Sequence, residues 1–223
     1  MEVHFEKDYY QNLLSWEELE YLINIRPLMT SEKVKIIDQG EDELFNWENP
    51  IWATYPNCWP PSLMKEVIDS RLIYLIDMSK STEKINEFSG LLEDIYDCQC
   101  DAHIYIGAHK NAAKKIHPFG IHFDYADNVI VQCEGTTNFK IWDEVDASHY
   151  GTRVNLHNAT DATPIMNVDM KPGDTIWIPK HYPHLATSKT KRLSVSFPMA
   201  SNDSLNPDDG WVQEDRSWVK LNH

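Results

Sequence analysis

Three shortages narrow what this chain can be. Cysteine is the first: there are four in 223 residues, Cys58, Cys98, Cys100 and Cys133. They show no repeated pair spacing, so neither a disulfide framework nor a zinc clamp is expected, and Cys98-x-Cys100 reads as incidental. Long apolar runs are the second. No stretch reaches the roughly 20 residues of a membrane span, and the N-terminus lacks the charged-then-apolar order of a secretory leader. A cytoplasmic, reducing setting is therefore expected, with no membrane partner. The third is positive charge, with 20 Lys and Arg against 35 Asp and Glu and a formal net charge of −15. The only dense basic run is Lys189-Thr190-Lys191-Arg192, so a phosphate backbone is repelled and nucleic acid is disfavoured as a partner. A basic protein or a cationic small molecule fits the charge, and acidity also serves solubility.

What is present suits one domain with flanking segments, since 42% hydrophobic residues suffice for a core. Residues 1–100 read as a mainly helical region that packs on a strand-rich domain at 101–200, and 201–223 as a polar tail. That tail either packs back or serves as the arm of a homodimer. Ser15-Trp16-Glu17-Glu18 has capping-box order, and Trp16, Leu19, Leu22 and Ile23 continue at helical spacing toward Pro27. Val34–Ile37 reads as a short strand. From Phe45 to Pro61 the sequence is aromatic and without period, a roof over a core or the lining of a cleft. A helix is expected from Pro61 through Met78, with Leu63, Val67, Leu72, Leu75 and Ile76 as its apolar positions. A second helix is expected over 83–97.

From Asp101 onward the pattern changes to strands. The candidates are 103–107, 121–123, 129–133, 138–142, 165–169, 175–178, 184–187 and 193–197. Eight short strands separated by turn residues suit a mainly β fold, the double-stranded β-helix or jelly roll, behind N-terminal helices. Lys114 and Lys115 fall in a loop, and 143–163 reads as an irregular insertion carrying Tyr150, Arg153 and His157.

Inside that domain one stretch, Gly120-Ile121-His122-Phe123-Asp124, carries chemistry. In a strand, side chains two apart point the same way, so His122 and Asp124 can grip one metal ion. His184 is the candidate third ligand, because it lies just past the strand-like run Asp174–Ile178 that ends at Pro179. Two imidazoles and a carboxylate are the donor set of non-haem Fe(II) oxygenases. A lone His-x-Asp arises about once by chance at this composition, so context has to raise it. Here His122-x-Asp124 is followed by Asn128 and Gly135, and Gly173 by Pro179, His181, His184 and Ser188. The other histidines, His103 among them, show no pair at ligand spacing and read as surface or core residues; His117 and His181 flank the proposed metal.

This order resembles the paired motifs of the cupin superfamily, over residues 101–199. Asp124 stands where that superfamily has a second His, Asn128 where it has Glu, His181 where it has the second Gly, and Ser188 where it has Asn. The first two exchanges are similar to the JmjC-type, cupin-like branch of 2-oxoglutarate- and Fe(II)-dependent oxygenases. The stretch Phe119 to Gly135 looks like the bacterial cupin-like hydroxylases of ribosomal proteins.

The resemblance implies an enzyme that uses Fe(II), 2-oxoglutarate and dioxygen to hydroxylate a peptide or protein side chain. A free amino acid or natural-product precursor is an alternative substrate, and a metal-dependent cupin without 2-oxoglutarate or a non-catalytic binding module is an alternative class. Relatives place a Lys or Arg two residues after the glycine equivalent to Gly135, where this chain has Thr137. Lys140 is near but at odd offset, on the other side of a regular strand. Arg192, in Arg192-Leu193-Ser194, resembles the Arg-x-Ser of other oxygenase branches and is the preferred partner for the cosubstrate's distal carboxylate. Asn128 and Ser196 match cosubstrate-contacting positions, and Tyr105 adds a hydroxyl.

Overall fold

The computed structural model describes residues 1–25, 33–38, 41–43, 72–107, 121–145, 163–188, 190–201, 211–214 and 217–220, with positions 61, 62, 65 and 68. The aromatic stretch after Phe45, the lysine loop at 114–115, His117, and Tyr150, Arg153 and His157 lie outside them.

Among the described residues, the elements before residue 101 are β1 (His4–Glu6), α1 (Trp16–Ile23), β2 (Val34–Asp38), β3 (Glu41–Glu43), β4 (Leu72–Leu75), α2 (Glu83–Tyr96) and β5 (Cys98–Cys100), besides the helical positions 61, 62, 65 and 68. Then follow β6 (His103–Gly107), β7 (Asp127–Glu134), β8 (Thr137–Ile141), β9 (Met166–Met170), β10 (Thr175–Ile178), β11 (His184–Ser188) and β12 (Arg192–Ser201). A hairpin of β13 (Trp211–Glu214) and β14 (Ser217–Lys220) ends the series.

The capping box forms as read from sequence: the Glu18 N–H donates to the Ser15 hydroxyl (3.1 Å) and the Ser15 N–H to the Glu18 carboxylate (2.8 Å). Thr82 caps α2 through its hydroxyl alone, accepting from Ile85 N–H.

The expected helix from Pro61 through Met78 is corrected. Positions 61, 62, 65 and 68 are helical, but Leu72–Leu75 is a strand held between β2 and β6. Ile73 and Leu75 are fully buried while Tyr74 points to the other face, a period of two that the mixed apolar spacing of 63–76 hides. The region before residue 101 is accordingly not only helical, since β1 to β5 all join the main sheet. The strand expected at 121–123 shrinks to a single bridge between His122 and His184.

Two sheets face each other. The larger has nine strands in the order β1-β10-β7-β12-β6-β4-β2-β3, with β5 added on β12; the smaller runs β11-β8-β9. Alternation along the strands divides the apolar residues between two cores. Val129, Val131, Ile104, Ile106, Leu193, Val195 and Phe197 pack under α1 and α2. From the opposite face Ile130, Ile176 and Ile178 meet Phe139, Ile141 and Met170 of the small sheet. The space between the sheets is thus the interior of a jelly roll, and the helices seal only its outer wall.

Two glycines are forced by the backbone. Gly135 (φ +71°) turns β7 into β8, and a Cβ there would collide with the Lys191 carbonyl; Gly173 (φ +93°) lies in the turn before β10, which Asp174 N closes on Lys171 O. Both belong to the motif positions singled out in the sequence.

Candidate metal centre

His122 and His184 are held face to face by backbone bonds in both directions, His122 N to His184 O (3.2 Å) and His184 N to His122 O (2.7 Å). Their rings lie 4.4 Å apart. Asp124 follows with its carboxylate 3.9 Å from His122 Nε2 and 3.7 Å from His184 Nε2. The ligand atoms of the three lie within 4.8 Å of one another, the spacing of one shared ion.

Neighbours fix each donor. A carbonyl only accepts, so the 3.1 Å contact between His184 Nδ1 and Tyr182 O puts the proton on Nδ1 and leaves Nε2 as a lone-pair ligand. The Asn128 amide donates to Asp124 Oδ2 (3.3 Å), and the Ser196 hydroxyl holds that amide through Asn128 Oδ1 (2.6 Å). Burial pushes the Asp124 carboxyl up, but the His184 and His122 imidazoles and the Asn128 amide outweigh it and leave its pKa below the ordinary Asp value. The loop before His184 is pinned as well: His181, at φ +68°, donates its N–H to the Asp124 carbonyl (2.9 Å).

A second polar centre lies further along the same interior. Arg192, 3% exposed, reaches Thr137 Oγ1 with Nη1 (3.4 Å), while its Nε has no hydrogen-bond partner among the described residues. Burial pulls the guanidinium pKa down to about 10, with Tyr105 acting weakly in the opposite sense. On the inner face of β6 Tyr105 stacks on Tyr74 (5.4 Å) and lies opposite Ser194.

Of the residues read from the sequence, His122, Asp124 and His184 converge, Asn128 and Ser196 brace them, and Thr137 and Arg192 touch. Lys140 does not join. It alternates with the buried Thr137, Phe139 and Ile141, so it points away from the interior, as its odd offset implied, and it is no candidate for the cosubstrate's distal carboxylate.

Sequence reading missed two contributors. Asp101, 3% exposed, takes a 3.0 Å bond from His103 Nε2. Gly107 flanks Arg192, as does Ser188, which the sequence marked only as a motif position. For Gly107 the alternation His103-x-Tyr105-x-Gly107 was the available signal, because it places those three residues on one face.

Residues 82–206, more than half of the chain, match the JmjC domain family. The chain belongs to that family. Among JmjC relatives, the bifunctional lysine-specific demethylase and histidyl-hydroxylase NO66 of Aedes aegypti is 20% identical over 86% of this chain, and that of Culex quinquefasciatus 20% identical over 96%. The chain spans only 29% and 30% of those two proteins. Escherichia coli YcfD superposes with a TM-score of 0.58 at 15% identity over 93% of this chain and 52% of YcfD. The structure of YcfD, a ribosomal oxygenase, in complex with cobalt and 2-oxoglutarate superposes at 0.56, also at 15% identity, over 94% of this chain and 51% of YcfD. At that identity the likeness speaks to the fold, and the JmjC barrel is the one built above from strand alternation.

Proposed function

We propose that this JmjC chain is an Fe(II)- and 2-oxoglutarate-dependent oxygenase that hydroxylates a side chain of a peptide or protein. One observation carries the reading: two imidazoles and a carboxylate converge in a barrel that also holds, further in, a buried guanidinium with an orphaned donor. The donor set fits iron(II), because two His and one carboxylate leave coordination positions open. The orphaned Nε fits a ligand carboxylate, which accepts from the guanidinium fork. His122, Asp124 and His184 would hold the metal; Arg192 and Thr137 would hold the distal carboxylate of the cosubstrate, with Tyr105 beside them.

Bound iron supplies dioxygen activation and the oxidising power to place one oxygen atom on an unactivated carbon. The chain supplies position and dryness. Asn128 and Ser196 orient the Asp124 carboxylate, and the Tyr182 carbonyl keeps the proton of His184 on Nδ1. Ile130, Phe139 and Ile176, each at most 7% exposed, keep water from the interior between the sheets.

The substrate class is supported by likeness and by charge. The relatives are named for acting on lysine and histidine residues and on the ribosome, and a net charge of −15 favours a cationic partner.

The test starts with anaerobic titration of the Fe(II) protein with 2-oxoglutarate, followed through its visible charge-transfer band. The band is expected with wild type and not with His122→Ala or Asp124→Ala, and normal iron loading in His122→Ala overturns the centre. Incubation with oxygen and a soluble proteome, and separately with free amino acids, is then read by mass spectrometry for a one-oxygen gain. A gain on proteins is expected; one confined to free amino acids selects the small-molecule reading.

A further inference from the structure

His181 stands at a position that glycine fills in the cupin pattern the sequence resembles, and it keeps a glycine-like backbone, with φ +68°. Among the described residues the other non-glycine positions at positive φ are Asp8, Asn12, Asp77 and Asp97, whose short polar side chains tolerate that region. His181 carries a ring there, and a side chain of that size persists in a left-handed conformation only where its surroundings hold it. Those surroundings are aromatic. The imidazole meets Phe123 edge-on (5.8 Å, 88°) and Tyr125 edge-on (5.5 Å, 82°), and the two partner rings meet each other at 5.4 Å.

Phe123 and Tyr125 are the chain neighbours of Asp124 on either side, and His181 lies three residues before His184. The ring cluster therefore joins the segment that bears the carboxylate ligand to the segment that bears an imidazole ligand. Those segments share an isolated bridge, His122 with His184, in place of a strand ladder. Further along, His181 N donates to the Asp124 carbonyl (2.9 Å) and Lys180 N to the Asp127 carboxylate (2.8 Å). The clamp has a fixed base, because Phe123 packs with Ile121 and Trp142 in a third apolar cluster and the His181 carbonyl accepts from Val145 N (3.1 Å). Tyr125, 44% exposed, closes it from the solvent side.

We infer that His181 is a positioning residue for the metal centre: its ring, clamped between Phe123 and Tyr125, holds the His184 imidazole and the Asp124 carboxylate at the separation that one shared ion requires. It acts through the loop it anchors, and neither ligates the ion nor carries a proton. The inference rests on the triad His122, Asp124 and His184 and is independent of the cosubstrate.

Calorimetric titration of the metal-free full chain with Mn(II), paired with the Tm of the metal-free protein, tests it. Wild type is expected to bind one Mn(II). His181→Gly removes the ring contacts, and glycine takes φ +68° without strain, so its metal-free Tm is expected to stay within about 3 °C of wild type. Its Mn(II) affinity is expected to fall at least fivefold, as when a group that orients a ligand is lost. His181→Phe returns a ring without the nitrogens and is expected to bring affinity back to within about twofold of wild type. Should His181→Phe fail to fold, Tyr125→Leu opens one side of the clamp without touching the left-handed residue and is expected to weaken Mn(II) at least threefold. Unchanged Mn(II) affinity in His181→Gly, or a Tm that falls together with affinity, overturns the positioning role, and a folded His181→Phe as weak as His181→Gly overturns the ring clamp. Wild type that binds no Mn(II) overturns the triad and the inference with it.

Discussion

At the scale of single residues, Arg192 is where stability and binding oppose each other. Burial without a carboxylate partner holds its pKa at about 10, below the usual arginine value, so protonation disfavours the folded state. That penalty is present in full below pH 10 and is relieved only as pH rises from about 10 toward the unfolded value, which leaves it intact across the working range. Replacing such a charge with an apolar side chain of similar length is often stabilising. Arg192→Met is therefore expected to raise the Tm of the ligand-free protein by about 2–4 °C, the equivalent of roughly 1 kcal/mol at this chain length. It should also remove the additional shift that 2-oxoglutarate gives the metal-loaded wild type. Scanning calorimetry with and without 2-oxoglutarate checks both, and a fall in ligand-free Tm would assign Arg192 a structural role. Sequence reasoning set Lys140 aside by alternation, which follows from the pleat, and took Arg192 from its resemblance to the Arg-x-Ser of other oxygenase branches. The crowding of Arg192 against Gly107 was not legible, because it joins residues 85 positions apart in the chain.

Among the elements, α2 supports the site from outside the barrel. Phe88 packs edge-on against Phe197 of β12 (4.9 Å) and tilts against Tyr10 (4.7 Å). Along β12 Phe197 alternates with Ser196 and Ser194, so the strand that braces Asn128 on its inner face is loaded by α2 on its outer face. Phe88→Ala is expected to destabilise the fold by about 3–5 kcal/mol. Metal affinity should fall with it as β12 loses its backing. Denaturant unfolding and a Mn(II) titration read the two effects, and a full loss of stability with unchanged metal affinity would separate the helix from the site. Both helices were legible, α1 from its capping box and α2 from its apolar spacing, since those signals lie within one turn. β4 was not, because Leu72–Leu75 is short and apolar enough for either structure and only its pairing with β2 and β6 makes it a strand.

For the whole molecule, the net charge of −15 gives the functional reading a consequence that depends on solvent. If a cationic segment of a protein is the substrate, its attraction is screened as ionic strength rises, the Debye length shrinking from about 10 Å at 0.1 M to 3 Å at 1 M. The KM for a basic peptide substrate is expected to rise several-fold between 50 and 500 mM salt. Substrate-independent consumption of 2-oxoglutarate should change little, because Arg192 is shielded within the barrel. Parallel salt series for the two reactions check this, and a flat KM would remove charge from the recognition argument. By itself the sequence indicated the jelly-roll class, the positions of most strands and His122, Asp124 and His184 as a candidate metal set. Those follow from period-two alternation, turn residues and the resemblance of the motif spacing to the cupin pattern, which are all short-range. Only the tertiary structure decided that β1 to β5 extend the main sheet, that the His122–Asp124 stretch is a bridge and not a strand, and that Arg192 meets Thr137, Gly107 and Ser188. The physical reason is that sheet neighbours are fixed by which apolar faces and backbone groups satisfy each other across the fold, and a barrel brings together strands from opposite ends of its sequence.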